Sequence, residues 1–477
     1  MHLSNDPRRV TLSVSRPTAP ARLRDPRHLP FVIGALALVT LGAFENRATI
    51  AILPTVTERL DGLGLFGTAA AAPLAASVIA MVAAGQWCDR RGPAPALVAG
   101  MGVFAVSQLA MAAAPTIGVF IAGRLAAGVA EALLDVALTV MVARMLPAAL
   151  RPAMFGAIAT AWVLPSLVGP PVAGAIAEHM GWRAVFAAAV VLMAPAALCL
   201  APSLRRLRSS AQDVQDAAAT DRAAIGSAVL IGIGLGALAF GGPAATDDTL
   251  RYAGVLALAI GTPMVALGAR RVLPRGTLRL RPGVPATVAL RGVQASAFAG
   301  AGAFIPLMLT QTHGLGATLA GASLTITGLS WAAGSQLNGT GTVQRRTTTV
   351  GRMRVSFCLI AAGVTGPVLV ALDAVPVWLG LALWALAGTG MGIGSPTLAN
   401  HVLTLTPPDT QGRMSAAAML SATVAQSLYI SFAGALLAAG AASAAALATI
   451  LAVPVGLALY GATLVPRLVD PPLPPAG

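Results

Sequence analysis

Runs of roughly twenty mainly apolar residues recur along almost the whole chain, and arginine collects at every second junction between them. A helix needs about 20 residues at ~1.5 Å each to cross a ~30 Å hydrocarbon layer. Fourteen runs meet that requirement, at approximately 31–54, 68–87, 94–114, 117–139, 152–177, 183–202, 223–243, 250–268, 285–311, 317–338, 352–372, 376–400, 413–437 and 440–465. The sequence therefore predicts an all-α integral membrane protein.

Arginine placement orients these spans, because short cytoplasmic loops collect basic residues and exported loops do not. With the N-terminus inside, only Arg59, Arg183 and Arg251 fall in outside loops, and Arg47, Arg124 and Arg291 fall within spans. The remaining 25 of the 31 lie inside. An even number of spans with both termini cytoplasmic satisfies this alternation. The net charge of +14 is then topological, and its spread over many short segments argues against a nucleic-acid surface.

Composition removes several function classes. Only 10% of residues are charged and 56% are apolar, where a soluble protein carries about 25% charged residues. All 31 basic residues are arginine, so neither a phosphate-binding Walker loop nor a Schiff-base lysine is available. Cys88, Cys199 and Cys358 lie far apart, as do the five histidines, so no metal or redox spacing exists. Gly62, Gly64 and Gly67 satisfy a GxGxxG pattern, but no strand precedes it, and it is set aside as a nucleotide site. The chain is expected to be no enzyme and to need no cofactor.

Residues 1–30 and 466–477 are expected to be disordered cytoplasmic tails. Between them, 31–202 and 271–465 resemble one another. Gly85 followed by Asp89, Arg90 and Arg91 is echoed by Gly334, Asn338, Arg345 and Arg346, and Gly128 by Gly388. On that register Glu131 aligns with Met391 and Asp135 with Ser395, so the charges sit in one copy. Two six-helix bundles follow, with a cytoplasmic loop at 203–222 and an inserted helix pair at 223–270. Repeated bundles around a midplane site are a transporter design.

The stretch Gly85-Gln86-Trp87-Cys88-Asp89-Arg90-Arg91-Gly92 resembles the signature loop of the major facilitator superfamily, departing from it at Pro93 and Ala94. Gly156, Pro165, Gly169, Pro170 and Gly174 on the fifth span are similar to the motif of its exporters, with Pro165 and Ala173 where glycine is usual. Phe44 to Pro54 is similar to the acidic first-helix motif of its fourteen-helix drug and proton antiporters, with Glu45 in place of Asp, and Arg124 with Gly128 is like the basic fourth-helix motif. The resemblance implies a major facilitator fold. It also implies a conformational latch at Gly85, Asp89, Arg90 and Gly92, and a gate helix carrying Gly156, Pro165, Gly169, Pro170 and Gly174. Pro165, Pro170 and Pro171 lack backbone donors, so this helix is expected to bend or break.

Carboxyl groups inside a membrane span are costly and functional by default. Glu131 and Asp135 stand four residues apart, with Arg124 and Gly128 seven and three residues before Glu131, so all four share one helical face. Like charges at that spacing repel, which suits a face that takes up and gives back a proton. Counting ~1.5 Å per residue from the helix starts puts Glu45 and Arg124 at the same depth, and a pairing between them is expected. Arg47 lies about 200° around the helix from Glu45 and faces elsewhere. Arg291 is expected to snorkel to the cytoplasmic surface.

The expected function is export of small amphipathic organic compounds by proton antiport and alternating access, with Glu131, Asp135, Glu45 and Arg124 as the coupling group. A facilitator of the same fold without proton coupling is the alternative. The expected partners are the lipid bilayer of a bacterial inner membrane, protons and a small-molecule substrate. The protein is expected to be monomeric and to bind no nucleic acid.

Overall fold

Fourteen long helices occur among the described residues of the protein, seen in a computed structural model that describes residues 23, 25–147, 150, 154, 157–158, 160–210, 222–339, 343, 346–407, 411–439 and 443–468. In chain order they are α1 (Leu29–Arg59), α2 (Phe66–Arg91), α3 (Pro93–Ala112), α4 (Ile117–Met145), α5 (Val163–Met180), α6 (Trp182–Ser210) and α7 (Arg222–Ala245). They continue with α8 (Arg251–Val272), α9 (Val284–His313), α10 (Ala317–Gly339), α11 (Thr349–Ala371), α12 (Val377–Leu405), α13 (Gln411–Ala439) and α14 (Ala444–Leu464). No strand occurs among the described residues. Most of the two expected tails lies outside the described residues, as do residues 211–221 of the expected 203–222 loop, whose first part is helix instead because α6 runs on to Ser210.

The helices are apolar on nearly every side, because a face turned to lipid and a face turned to the core have the same preference. Polar residues mark their ends instead. Thr116, Thr348 and Ser443 each accept a backbone N–H from the first turn they precede, at 3.4, 3.0 and 3.3 Å. Gly92 and Gly181 take φ of +77° and +87°, and this lets α2 turn directly into α3 and α5 into α6. Twelve of the helices are long and apolar enough to cross a membrane on their own composition. The other two, α5 and α10, pack against each other, so part of their surface meets protein rather than lipid.

Helices α1 to α6 form one bundle and α9 to α14 the other. The bundles meet where glycines let backbones touch. Gly67 of α2 lies against Gly434 of α13, and a Cβ placed on Gly174 of α5 would stand 2.5 Å from the Cα of Thr318 in α10. By the arginine orientation all four residues belong to the outer halves of their helices. The outer side of the molecule is therefore closed. Gly67 shows why its pattern had no nucleotide role: it is the second residue of α2, placed for close packing.

The inserted pair does not stand apart as a linker. Helix α7 packs on α2, where Gly232 meets Ala75 and Ile79, and on α13, where Gly242 meets Ala435. The Thr68 hydroxyl of α2 donates to the Ala239 carbonyl at 2.6 Å. One helix thus touches both bundles across their seam.

Candidate functional site

The chemistry-bearing residues of the first bundle gather between α1 and α4. Arg124, 3% exposed, reaches from α4 to both neighbouring helices. Its Nη1 lies 3.4 Å from Glu45 Oε1 on α1, and its Nε donates to the Ala69 carbonyl on α2 at 3.2 Å. Thr49, one turn beyond Glu45, donates its hydroxyl to the same Oε1 at 3.0 Å. Arg124 and Thr49 therefore fix Glu45 from two sides. Sequence reasoning missed Thr49, although its i+4 spacing from Glu45 was a usable signal.

Glu45, Glu131 and Asp135 line one small cavity together with Leu38, Phe104 and Trp162. Its volume is about 30 Å³, room for about two waters. Asp135 is the more exposed of the two and Glu131 is half-buried, so the stripe runs from an enclosed ion pair to the less covered edge of the cavity. Gly128 stands on the same helix but meets α2, where a Cβ would run into the carbonyl of Pro73. It is a packing contact rather than a cavity wall.

Breaking the Arg124–Glu45 pair from one side leaves a buried charge uncompensated, a loss of ~3–5 kcal/mol. Arg124→Gln and Glu45→Gln should each lower the thermal unfolding midpoint in detergent, and the double variant should lose less than the two effects combined. Additive losses would mean that the two groups do not depend on each other.

Two half-buried arginines lie outside this cluster. The Nε of Arg47 is buried without a hydrogen-bond partner, and its Cβ faces Gly169 of α5. Arg291 does not snorkel as expected. Its Nη1 donates to the Ser395 hydroxyl at 2.6 Å and also to the Ser395 carbonyl at 3.3 Å, because a polar partner on α12 lies nearer than cytoplasmic water. Ser395 is the repeat counterpart of Asp135, so the second bundle satisfies its arginine with a neutral partner.

The signature loop joins α2 to α3. Arg90 and Arg91 are exposed, and Gly92 carries the left-handed turn. A Cβ added at Gly85 would meet open space. The side chain of Asp89 lies outside the described residues. Arg144, at the end of α4, braces the turn through an Nη2 contact to the Cys88 carbonyl at 3.5 Å.

On the gate helix, Gly156 lies outside the described residues. A turn at Trp162 precedes α5, one turn before the buried Pro165, which has no amide to donate back. The helix then runs on through Pro170 and Pro171. Gly169 faces Phe44, Pro170 faces Gly321 of α10, and Gly174 faces Thr318. Three of the five gate residues thus lie along contacts with α1 and α10.

Glu178, at the outer rim of α5, completes this closure and was not anticipated from the sequence. Its carboxylate accepts the Thr318 backbone N–H at 3.1 Å and the Thr318 hydroxyl at 2.8 Å, at the first turn of α10. The backbone N–H of Thr318 holds this carboxyl below the ordinary glutamate range. The lowered value means the contact stabilises closure fully above the ordinary range and loses that contribution as pH falls through the lowered value. Spin labels on the outer ends of α5 and α10 should therefore report a constant distance from about pH 8 down to the ordinary glutamate range and a longer one only below it. Glu178→Gln should remove the pH response.

Comparison with known proteins gives a consistent picture. The sequence profile described as Major Facilitator Superfamily matches residues 35–429. An uncharacterized MFS-type transporter of Mycobacterium tuberculosis is 34% identical over 134 residues, 28% of this chain and 23% of that protein. A probable multidrug-efflux transporter of the same organism is 27% identical over 221 residues, 46% of each. The chain thus spans from about a quarter to about half the length of these curated relatives. Among solved structures, a peptide transporter, POT, in complex with sulfate aligns with a TM-score of 0.68 at 15% identity, covering 91% of this chain and 94% of that one. The human organic anion transporter MFSD10 aligns with a TM-score of 0.59 at 16% identity, covering 92% and 100%.

Proposed function

Because this chain belongs to the Major Facilitator Superfamily, a family of multi-pass membrane transporters, we propose that it exports small amphipathic organic compounds from a bacterial cell across the inner membrane in exchange for protons. The observation that carries the reading is the cavity between α1 and α4. Three carboxyl groups, Glu45, Glu131 and Asp135, share a space the size of about two waters, with Arg124 held against one of them. Such a space admits water and protons but not an organic substrate.

In this reading Glu131, helped by Asp135, takes up a proton while the transporter faces outward. Protonation removes one of two neighbouring negative charges, which favours substrate release and return to the outward-closed state. The proton then leaves through the open end of the stripe at Asp135. Glu45 and Arg124 neutralise each other and tie α1 to α4, so that a charge change at Glu131 acts on both helices. Closure at Gly67, Gly174 and Glu178 separates the carboxyls from the outside during release.

The naming of a distant relative as a probable multidrug-efflux transporter supports the direction of transport. No cofactor is assigned, since the proton gradient supplies the energy. Dye efflux from membrane vesicles, with and without an uncoupler, tests the whole reading. Efflux that stops on collapse of the pH gradient is expected, with alkalinisation of the compartment that loses protons. Efflux indifferent to the gradient would instead mark an uncoupled facilitator.

A further inference from the structure

A second space in the molecule has no part in the carboxylate site. It lies between the inserted pair and α13, has a volume of about 580 Å³, and is lined almost wholly by apolar side chains, among them Leu258, Val265, Leu273 and Leu278 from the inserted region and Val424 and Phe432 from α13. That volume is in the range that houses ligands, ~300–1,000 Å³. The lining on α13 extends from Ser421 to Ala435, about 21 Å along the helix axis. One leaflet supplies about 15 Å of a ~30 Å hydrocarbon core, so the cleft takes in the full depth of the cytoplasmic leaflet and passes the midplane. Leu278 and Phe432 remain 59% and 55% exposed at its edge, which opens the cleft sideways toward lipid.

The inner end of the cleft has a distinct charge. Leu273 and Leu278 are lining residues, and Arg270, Arg271, Arg275, Arg279 and Arg281, all exposed, are their near neighbours in sequence. No acidic residue occurs in the sequence between Asp248 and Asp373. Cytoplasmic arginine is expected from topology alone, but five in twelve residues, in the segment that supplies two lining residues of one apolar cleft, is a denser arrangement. Water gains nothing in such a cleft, since its lining offers few polar partners.

We propose that this cleft is a binding site for one anionic phospholipid of the cytoplasmic leaflet, with an acyl chain between α8 and α13 and the headgroup phosphate on the arginines of 270–281. Each arginine near a membrane surface adds attraction to an anionic headgroup, and five of them together favour phosphatidylglycerol over phosphatidylcholine of the same chain length. The site is separate from the proton reading and stands if that reading fails.

The test uses the full chain purified in mild detergent, stripped of lipid, and titrated with phosphatidylglycerol or with phosphatidylcholine. Native mass spectrometry counts the lipid retained and thermal unfolding follows its effect. One phosphatidylglycerol retained per chain, with a raised unfolding midpoint, is expected, and phosphatidylcholine should bind at least about tenfold more weakly. Replacing Arg270, Arg271, Arg275 and Arg279 by Gln should weaken retention on the order of a hundredfold, and replacement by Lys should preserve most of it. Ala266→Trp fills the cleft from its wall without touching the charges, and should abolish the single tight site. Equal binding of the two lipids, or unchanged phosphatidylglycerol binding by Ala266→Trp, would overturn the proposal.

Discussion

Replacing Glu131 by Gln should reduce proton-driven efflux to background while the protein still inserts, folds and binds substrate. The substitution keeps the shape of the side chain and removes only its ability to ionise, in a cavity where water reaches the group. A permanently neutral group at 131 mimics one end of the cycle, so substrate exchange down its own gradient should survive while coupling is lost. Asp135→Asn should give a smaller loss, because Asp135 lies at the less covered edge of the cavity and serves only the inner proton exit. The measurement is pH-gradient-driven dye efflux from vesicles, beside counterflow without a gradient. Undiminished gradient-driven efflux by Glu131→Gln would reject the coupling role.

A second large effect should come from Gly67→Val. A Cβ at this position runs into the backbone of Gly434, which has no flexible side chain to move aside. The outer ends of α2 and α13 must then separate, and the outward-closed arrangement is lost. Transport should fall to background, for a different reason than in Glu131→Gln: a cysteine placed on α13 near Gly434 should become reactive toward a membrane-impermeant thiol reagent added outside. Gly434→Val should do the same, and Gly85→Val, where the added group meets open space, should leave outer accessibility unchanged. Wild-type accessibility in Gly67→Val would mean that closure does not depend on this crossing.

The helices were legible in the sequence because lipid imposes a length on each of them and arginine marks every second end. The Glu45–Arg124 pair was legible for a related reason. Rise per residue converts position into depth, and two opposite charges at one depth in neighbouring helices have few other partners. Long-range partners without charge were not legible. Nothing local distinguishes the Ala69 carbonyl that receives Arg124, or the Ser395 hydroxyl that turns Arg291 away from the surface. Glu178 was hidden because its partner, Thr318, belongs to the other bundle. Gly67 was hidden because a glycine that turns a loop and a glycine that admits another backbone look alike in one dimension.

The double footing of α7 also bears on how the chain can be divided. It is joined by peptide bonds to α6 before it and α8 after it, yet it rests on α2 and on α13. If the gene is split within the 203–222 connection, α7 goes with the second fragment and offers a ready edge to α2. If it is split between α8 and α9, α7 goes with the first and offers that edge to α13. Either pair of fragments, synthesised together, should reassemble into an active transporter, and pairs lacking α7 on both sides should not.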